Sequence, residues 1–207
     1  VEVLGISTDK PEKLSRFAEK ELLNFTLLSD EDHQVCEAFG VWGEKSFMGK
    51  TYDGIHRISF LLDGNGKVLE DWAQWNDLIV TAHSLHISPY DPQRHLWVVD
   101  RDGQQILKFT NDGKKLVFKL GERNVTGTDH GHFNKPANMV FLPDGSFYIA
   151  DGYVNSRVIK FDKDGKFQLE WGTKGSGPGQ FNLVHSVAVD ANHRVYASDR
   201  NNNRVQV

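Results

Sequence analysis

"SFYIADGYVNSRVIKFDKDGKFQLEWG", residues 146–172, decides the fold. Short alternating apolar runs flank an Asp-Gly turn, and a second turn follows at Asp164-Gly165. Alternation with period two, broken by Asp, Asn and Gly, is the pattern of short strands joined by tight turns. The phrase also stands at "HLWVVDRDGQQILKFTNDGKKLVFKLG" (95–121) and, in part, at "RVYASDRNNNRVQV" (194–207). Asp100, Asp151 and Asp199 anchor the three copies, spaced by 51 and then 48 residues. Repeats of this length with four short strands each predict propeller blades. Residues 69–207 hold roughly three of them, whereas closed rings typically need about 4–8. An open arc leaves an unpaired edge. The expectation is therefore a natural chain that continues past Val207, or a second copy covering that edge.

Residues 1–68 follow a different grammar. "VEVLGIST" is a compact apolar run of the kind buried in a parallel sheet. In "DKPEKLSRFAEKELLN", Asp9 stands where an N-cap would, ahead of Pro11, and Leu14, Phe17, Ala18 and Leu22 recur at helical spacing. "FTLLSD" reads as a second strand, and "EDHQVCEAFGVWGE" as a short helix with Val35, Cys36 and Phe39 on one side, stopped at Gly40. "HRISFLLDGNGKV" reads as a strand, a turn and a return strand. Such alternation predicts an α/β layer with parallel pairing.

The composition excludes several classes. A net charge of −4 lacks the basic excess of a nucleic-acid-binding chain. No apolar run approaches the ~20 residues of a membrane span. No charged, apolar leader precedes Val1, although a chain that does not begin with Met reads as a processed or partial piece. The single cysteine, Cys36, makes no internal disulfide and leans toward a reducing, cytoplasmic setting. The sequons at Asn24 and Asn124 read as chance.

"GISTDKPEKLSRFAEKELLNFTLLSDEDHQVCEAFGVWGEK", followed by "GKTYDGIHRISFLLDGNGKV", resembles the peroxiredoxin Q family. The likeness covers 1–68 as roughly the second half of a thioredoxin-like domain. It implies peroxide reduction with thioredoxin as partner, by a cysteine loop that would lie upstream of Val1. Arg57 in "GIHRISF" matches the family's arginine, a fixed cation beside the reacting thiolate. Cys36 reads as a buried structural thiol, with a resolving role only beside an upstream cysteine. Without the peroxidatic thiol the segment is expected to be inactive.

In the repeats, "AHSLHIS" and "VHSVAVD" set His83 and His185 102 residues apart, close to the 99 between Asp100 and Asp199. Equivalent positions in different blades approach one another near the propeller axis. The phrase alone reads equally as half a metal site or as retained packing. The middle copy, "PANMVFL", carries Ala137 at that place, and His86, His95, His130, His132 and His193 stand outside the phrase. "WGTKGSGPGQF" lacks the Lys-Ser/Thr of a phosphate loop, and "FDKDGK" the acids of a calcium loop.

"AHSLHIS…HLWVVD", "DGYVNSR" and "VHSVAVDANHRVYASDR" resemble the NHL-repeat β-propeller of the peptidyl-α-hydroxyglycine α-amidating lyases, over about 69–207. The likeness implies zinc-dependent cleavage of an N–C bond in a peptide substrate, giving a peptide amide and glyoxylate. On matched positions, His83 and His185 are two of three zinc ligands, and the carbonyl of Leu85 binds a structural calcium. Tyr153 is the catalytic base and Arg200 a substrate arginine. Ala82 and Val184 replace the prolines usual before the histidines, and Asn134 and Val154 the cysteines of a disulfide found in animal members. The third histidine and the other arginine have no counterpart in 1–207. Two further readings stand beside this one: a non-catalytic platform for a peptide or protein, and an artefactual join near Gly66–Leu69.

Overall fold

The computed structural model describes residues 3–47, 50–56, 60, 62–69 and 72–207. The chain divides into two compact units, Val1–Asp71 and Trp72–Val207. Among the described residues no helix is long and apolar enough to cross a membrane.

In the first unit, β1 (Leu4–Ser7) pairs in parallel with β2 (Thr26–Ser29) across helix α1 (Pro11–Lys20), as the β-α-β order requires. The N-cap is Lys10, without a side-chain cap, rather than Asp9. Pro11 forces its predecessor into an extended conformation (φ −61°, ψ 149°), which makes Lys10 the boundary residue. The Asp9 carboxylate instead accepts from Lys13 Nζ at 2.6 Å and Ser7 Oγ at 3.1 Å. Of the expected apolar stripe Leu14 is buried, while Phe17 and Leu22 are exposed. Helix α2 (Gln34–Ala38) buries Cys36 but leaves Val35 exposed, and Gly40 stops it at φ +64°. The hairpin of β3 (Trp42–Phe47) and β4 (Lys50–Ile55) was not foreshadowed by the sequence, since its residues do not alternate. The expected "HRISFLLDGNGKV" hairpin is visible as one bridge, Leu62 to Val68, and Arg57–Ser59 lie outside the described residues.

The second unit is built of blades. β5 (Ala82–Ile87), β6 (Leu96–Asp100), β7 (Gln105–Phe109) and β8 (Leu116–Leu120) form an antiparallel sheet in chain order. β9 (Asn138–Phe141), β10 (Phe147–Asp151), β11 (Arg157–Phe161) and β12 (Phe167–Trp171) form a second. A short parallel pair, β13 (Thr173–Lys174) with β14 (Gln180–Phe181), leads into a three-stranded sheet. That sheet contains β15 (Val184–Val189), β16 (Val195–Asp199) and β17 (Arg204–Gln206).

Strand β10 shows how the alternation becomes a core. Successive side chains point to opposite faces of a sheet. Phe147 and Ile149 join Trp97, Val99 and Ile106 of the first blade, while Tyr148 and Ala150 join Val184, Val187 and Ala197 of the third. A middle blade therefore buries both faces, and all five residues of β10 are buried. On the outer side of the first blade, Trp72, Trp75, Leu78 and Ile79 cover Val98, Leu107 and Phe109. Trp75 Nε1 donates to the carbonyl of Gly113 at 2.7 Å.

The repeated aspartates are internal clamps, each wholly buried. Asp100 accepts from the backbone N–H of Val80 (3.0 Å) and Thr81 (2.6 Å), and from Gln105 Nε2 (3.0 Å). Asp151 accepts from Asn134 N (3.0 Å), Asn155 Nδ2 (2.7 Å) and Arg157 Nε (3.0 Å). Asp199 accepts from Asn182 N (2.8 Å), Asn202 Nδ2 (2.7 Å) and Arg204 Nε (2.9 Å). A buried carboxylate is tolerable only when paired and hydrogen-bonded in this way. Arg204 also donates to the carbonyls of Ser176, Gly177 and Gln180, so the glycine-rich stretch wraps a guanidinium.

Candidate functional site

The innermost strands β5, β9 and β15 are neighbours, with β9 touching both others. The register of β5 on β6 shifts between Ala82 and Ser84, and that of β15 on β16 between Val184 and Ser186. His83 and His185 are therefore the extra residues of two β-bulges, equivalent by repeat. A bulge frees one residue from the ladder and re-aims its side chain. Both rings turn toward Tyr153, which follows the clamped Asp151 at the end of β10.

The three side chains meet. Tyr153 Oη lies 3.1 Å from His83 Nε2 and 3.1 Å from His185 Nε2. The imidazole centroids are 5.4 Å apart. His83 Nδ1 lies 2.8 Å from the carbonyl of Ala137, which can only accept. In the neutral ring Nδ1 thus carries the proton and Nε2 is bare, so the Tyr153 hydroxyl donates to His83. Its oxygen then accepts from Nε2–H of His185. Burial, then the facing His83 and the Arg200 charge, push His185 below the usual histidine value. Ala137, the residue in place of a histidine in the middle repeat, contributes through its backbone.

Arg101 packs on the phenol, with Cζ 5.2 Å from the ring centroid. Asp102 fixes that guanidinium at 2.6 Å and also accepts from Thr81 Oγ1 at 2.8 Å and Lys135 Nζ at 3.2 Å. The Arg101 hydrogen bond outweighs burial and, with those of Thr81 and Lys135, holds the Asp102 carboxyl down to about 2. Arg101 was not singled out by sequence, although it follows Asp100 as Arg200 follows Asp199. The middle repeat has Gly152 there, and a Cβ at 152 would lie 1.8 Å from the carbonyl oxygen of Val184.

The remaining candidates lie outside the His83–Tyr153–His185 contact, Arg200 close enough for its charge to act on His185. Arg200 is exposed on a one-turn 3-10 helix, Arg200–Asn202. Leu85 pairs with Val98 and is 60% exposed. Arg57 lies outside the described residues. At the positions matched to a disulfide, Asn134 clamps to Asp151 and Val154 is exposed.

The chemistry of the donor set fits a divalent metal in part. Two imidazole nitrogens face one point, and one ring is oriented by a carbonyl on its other nitrogen, as metal-bound histidines usually are. Among the described residues no group of three or more His, Cys, Asp or Glu could hold a metal. Two imidazoles fall short of the three protein ligands that catalytic zinc ordinarily takes.

Cys36 in the first unit is buried, and burial followed by the Asp30 carboxylate pushes its thiol up to about 11. At pH 8 the thiol stays protonated and so is not a nucleophile. In the folded chain Cys36 is expected to resist an aromatic disulfide reagent at pH 8 and to react promptly in denaturant. The 207-residue chain is expected to consume no peroxide. Rapid labelling of the native protein, or peroxide turnover, would contradict this.

Residues 1–70 match the model of the AhpC/TSA family, and residues 128–206 that of a 6-bladed beta-propeller. The chain is 91% identical over 68 residues to peroxiredoxin Bcp of Escherichia coli (strain K12), covering 33% of this chain and 44% of that protein. It is 33% identical over 175 residues to a probable peptidyl-alpha-hydroxyglycine alpha-amidating lyase of Caenorhabditis elegans, covering 80% of this chain and 49% of that protein. A structural genomics protein of unknown function from Bacteroides thetaiotaomicron shares the fold at TM-score 0.51 and 18% identity, covering 61% of this chain and 35% of that one. The chain spans less than half the length of these two curated relatives. Its first segment is thus similar to part of peroxiredoxin Bcp, and its propeller region to part of the amidating lyase.

Proposed function

We propose that the propeller unit carries a zinc-dependent site for cleavage of peptidyl-α-hydroxyglycine, with His83 and His185 as metal ligands. The observation that supports it most is the convergence of His83 Nε2, Tyr153 Oη and His185 Nε2 from three successive blades. When bound, zinc supplies a Lewis acid that lowers the pKa of the substrate hydroxyl. Tyr153, as the phenolate once its own proton has passed to solvent, would take the substrate hydroxyl proton as the carbon–oxygen double bond forms, and would return it to the amide nitrogen as the N–C bond breaks, giving the peptide amide and glyoxylate. Arg200 pairs with the substrate carboxylate, and Arg101 with Asp102 keeps the phenol ring in place. The structural calcium implied at Leu85 belongs to the same reading.

The first unit is proposed as a carrier segment in this chain. Thioredoxin would act on it only where a second, reactive cysteine is present. Zinc titration against a chromophoric chelator tests the propeller reading. One zinc per chain is expected, with affinity falling at least tenfold in His185→Ala, and glyoxylate released from a peptidyl-α-hydroxyglycine in excess zinc. Absence of zinc binding by any form of the chain would leave the alternative, a non-catalytic platform for peptide or protein.

A further inference from the structure

We propose that residues 72–79 are a removable strap. They fill the place that a preceding blade takes beside the second and third sheets. They lift off as a unit before the blades open, baring Val98, Leu107 and Phe109 of the first blade. The strap shares no residue with the His83–Tyr153–His185 contact.

The covered face is one that the other blades turn toward a neighbouring sheet. By repeat, Val98, Leu107 and Phe109 correspond to Ile149, Ile159 and Phe161, and Val98 lies opposite Leu107 as Ile149 lies opposite Ile159. In the second blade that face packs on Trp97, Val99 and Ile106 of the first. In the third, Ala197 stands at the place of Val98 and packs with Tyr148 and Ala150 of the second. In the first blade the cover is Trp72, Trp75, Leu78 and Ile79, carried around one turn of 3-10 helix, Ala73–Trp75.

The strap is held more loosely than the entries to the other blades. Arg157 pairs with Asp151 and donates to the carbonyls of Thr128, Asp129 and His132. Arg204 pairs with Asp199 and donates to those of Ser176, Gly177 and Gln180. The first blade has Gln105 at this place, opposite Asp100 as Arg157 is opposite Asp151. Its amide reaches one strap carbonyl, that of Leu78 at 2.8 Å, and Asp100 at 3.0 Å. Charge-assisted hydrogen bonds are roughly twice as strong as neutral ones. Gln105 Oε1, moreover, is buried with no hydrogen-bond partner. An acceptor stripped of water in this way opposes closure, and it is hydrated again when the strap lifts.

The seat is nonetheless specific. Trp75 Nε1 donates to the Gly113 carbonyl at 2.7 Å, and both indoles pack on Phe109, with centroids 5.2 and 4.9 Å away. The Trp72 ring lies on Gly113, where a Cβ would come within 2.3 Å of it. Two anchors on one short turn make the strap dock and leave together, a local opening distinct from global unfolding.

Amide-resolved hydrogen exchange of the full 207-residue chain compares equivalent clamped N–H groups. After correction for intrinsic rates, Val80 and Thr81 are expected to exchange at least tenfold faster than Asn134, with the weak urea dependence of a local opening. Trp75→Phe, which keeps an aromatic ring and loses the Gly113 bond, should speed Val80 and Thr81 a further fivefold or so, the worth of one hydrogen bond, and leave Asn134 unchanged. A dye-labelled peptide of residues 72–81, WAQWNDLIVT, probes the bared face by fluorescence anisotropy. It should bind the Trp72→Ala/Trp75→Ala variant at least tenfold more tightly than the parent, whose own strap competes. Equal protection of Val80, Thr81 and Asn134, or exchange of all three only through global unfolding, overturns the removable strap. Peptide binding by the parent as tight as by the variant, or by neither, overturns the face as its seat.

Discussion

Asp151→Asn is expected to lower the stability of the propeller unit by about 3–5 kcal/mol, the usual cost of breaking a buried ion pair. Asp151 is fully buried and its partner Arg157 is nearly so, with side-chain exposures of 0% and 7%. Substitution replaces one carboxylate oxygen by an amide donor. That donor then faces Arg157 Nε or Asn134 N, donors already present, at a fully buried point. Arg157 would keep the carbonyls of Thr128, Asp129 and His132 and the carboxylate of Glu170, but its charge would lose the buried partner. Against typical domain stabilities of about 5–15 kcal/mol, the loss is a large fraction of the whole. Urea unfolding followed by tryptophan fluorescence measures it. Asp199→Asn is the internal comparison, and its cost should be smaller, because Arg204, on the edge strand β17, is 29% exposed. Equal midpoints for Asp151→Asn and the parent would refute the clamp.

Gly152→Ala is expected to uncouple the site from the fold. A Cβ there would sit 1.8 Å from the Val184 carbonyl oxygen, 2.4 Å from Val184 Cγ1 and 2.6 Å from its carbonyl carbon. Backbone, not a flexible chain end, stands in the way. The obstacle is space rather than conformation, since Gly152 is not among the residues with positive φ. Val184 must yield, and it is the residue before His185 at the start of the bulge. The β15 strand would move off β10, and the His185–Tyr153 contact would open. Overpacking costs about 1–3 kcal/mol in ordinary cores, and a backbone clash belongs at the upper end. The paired readouts are the urea midpoint and, on the reading of His83 and His185 as metal ligands, zinc affinity, and both should fall, the second by at least tenfold. A variant with parental stability and parental zinc affinity would show that β10 and β15 tolerate separation.

The sequence carried the repeat because the repeat has a mechanical basis. Each copy needs an aspartate to clamp the strand leading into its own blade, and that need fixes the spacing of Asp100, Asp151 and Asp199. The site was legible where side chains recur or conspicuously fail to recur. His83 and His185 share a phrase, and Tyr153 stands where the other copies have Asp102 and Asn201. Features made by backbone were not legible. Nothing in "AHSLHIS" announces a bulge, and nothing in "PANMVFL" announces that the Ala137 carbonyl would fix an imidazole. Arg101 was legible in principle, through its shared position with Arg200. In the first unit, Asp9 was misplaced by one residue because Pro11 transfers the boundary to Lys10.

The clamps also bear on how the molecule forms. The bonds from Asp100 reach back 20 and 19 residues to Val80 and Thr81, and those from Asp151 and Asp199 reach back 17 to Asn134 and Asn182. Each blade is thus closed by a contact short in sequence, although strands of different blades are far apart along the chain. Short closures keep contact order low, and chains of low contact order fold fast for their size. Each clamp can close without waiting for its neighbours, as in quasi-one-dimensional repeat proteins. The His83–Tyr153–His185 contact, spanning three blades, is then among the last to assemble.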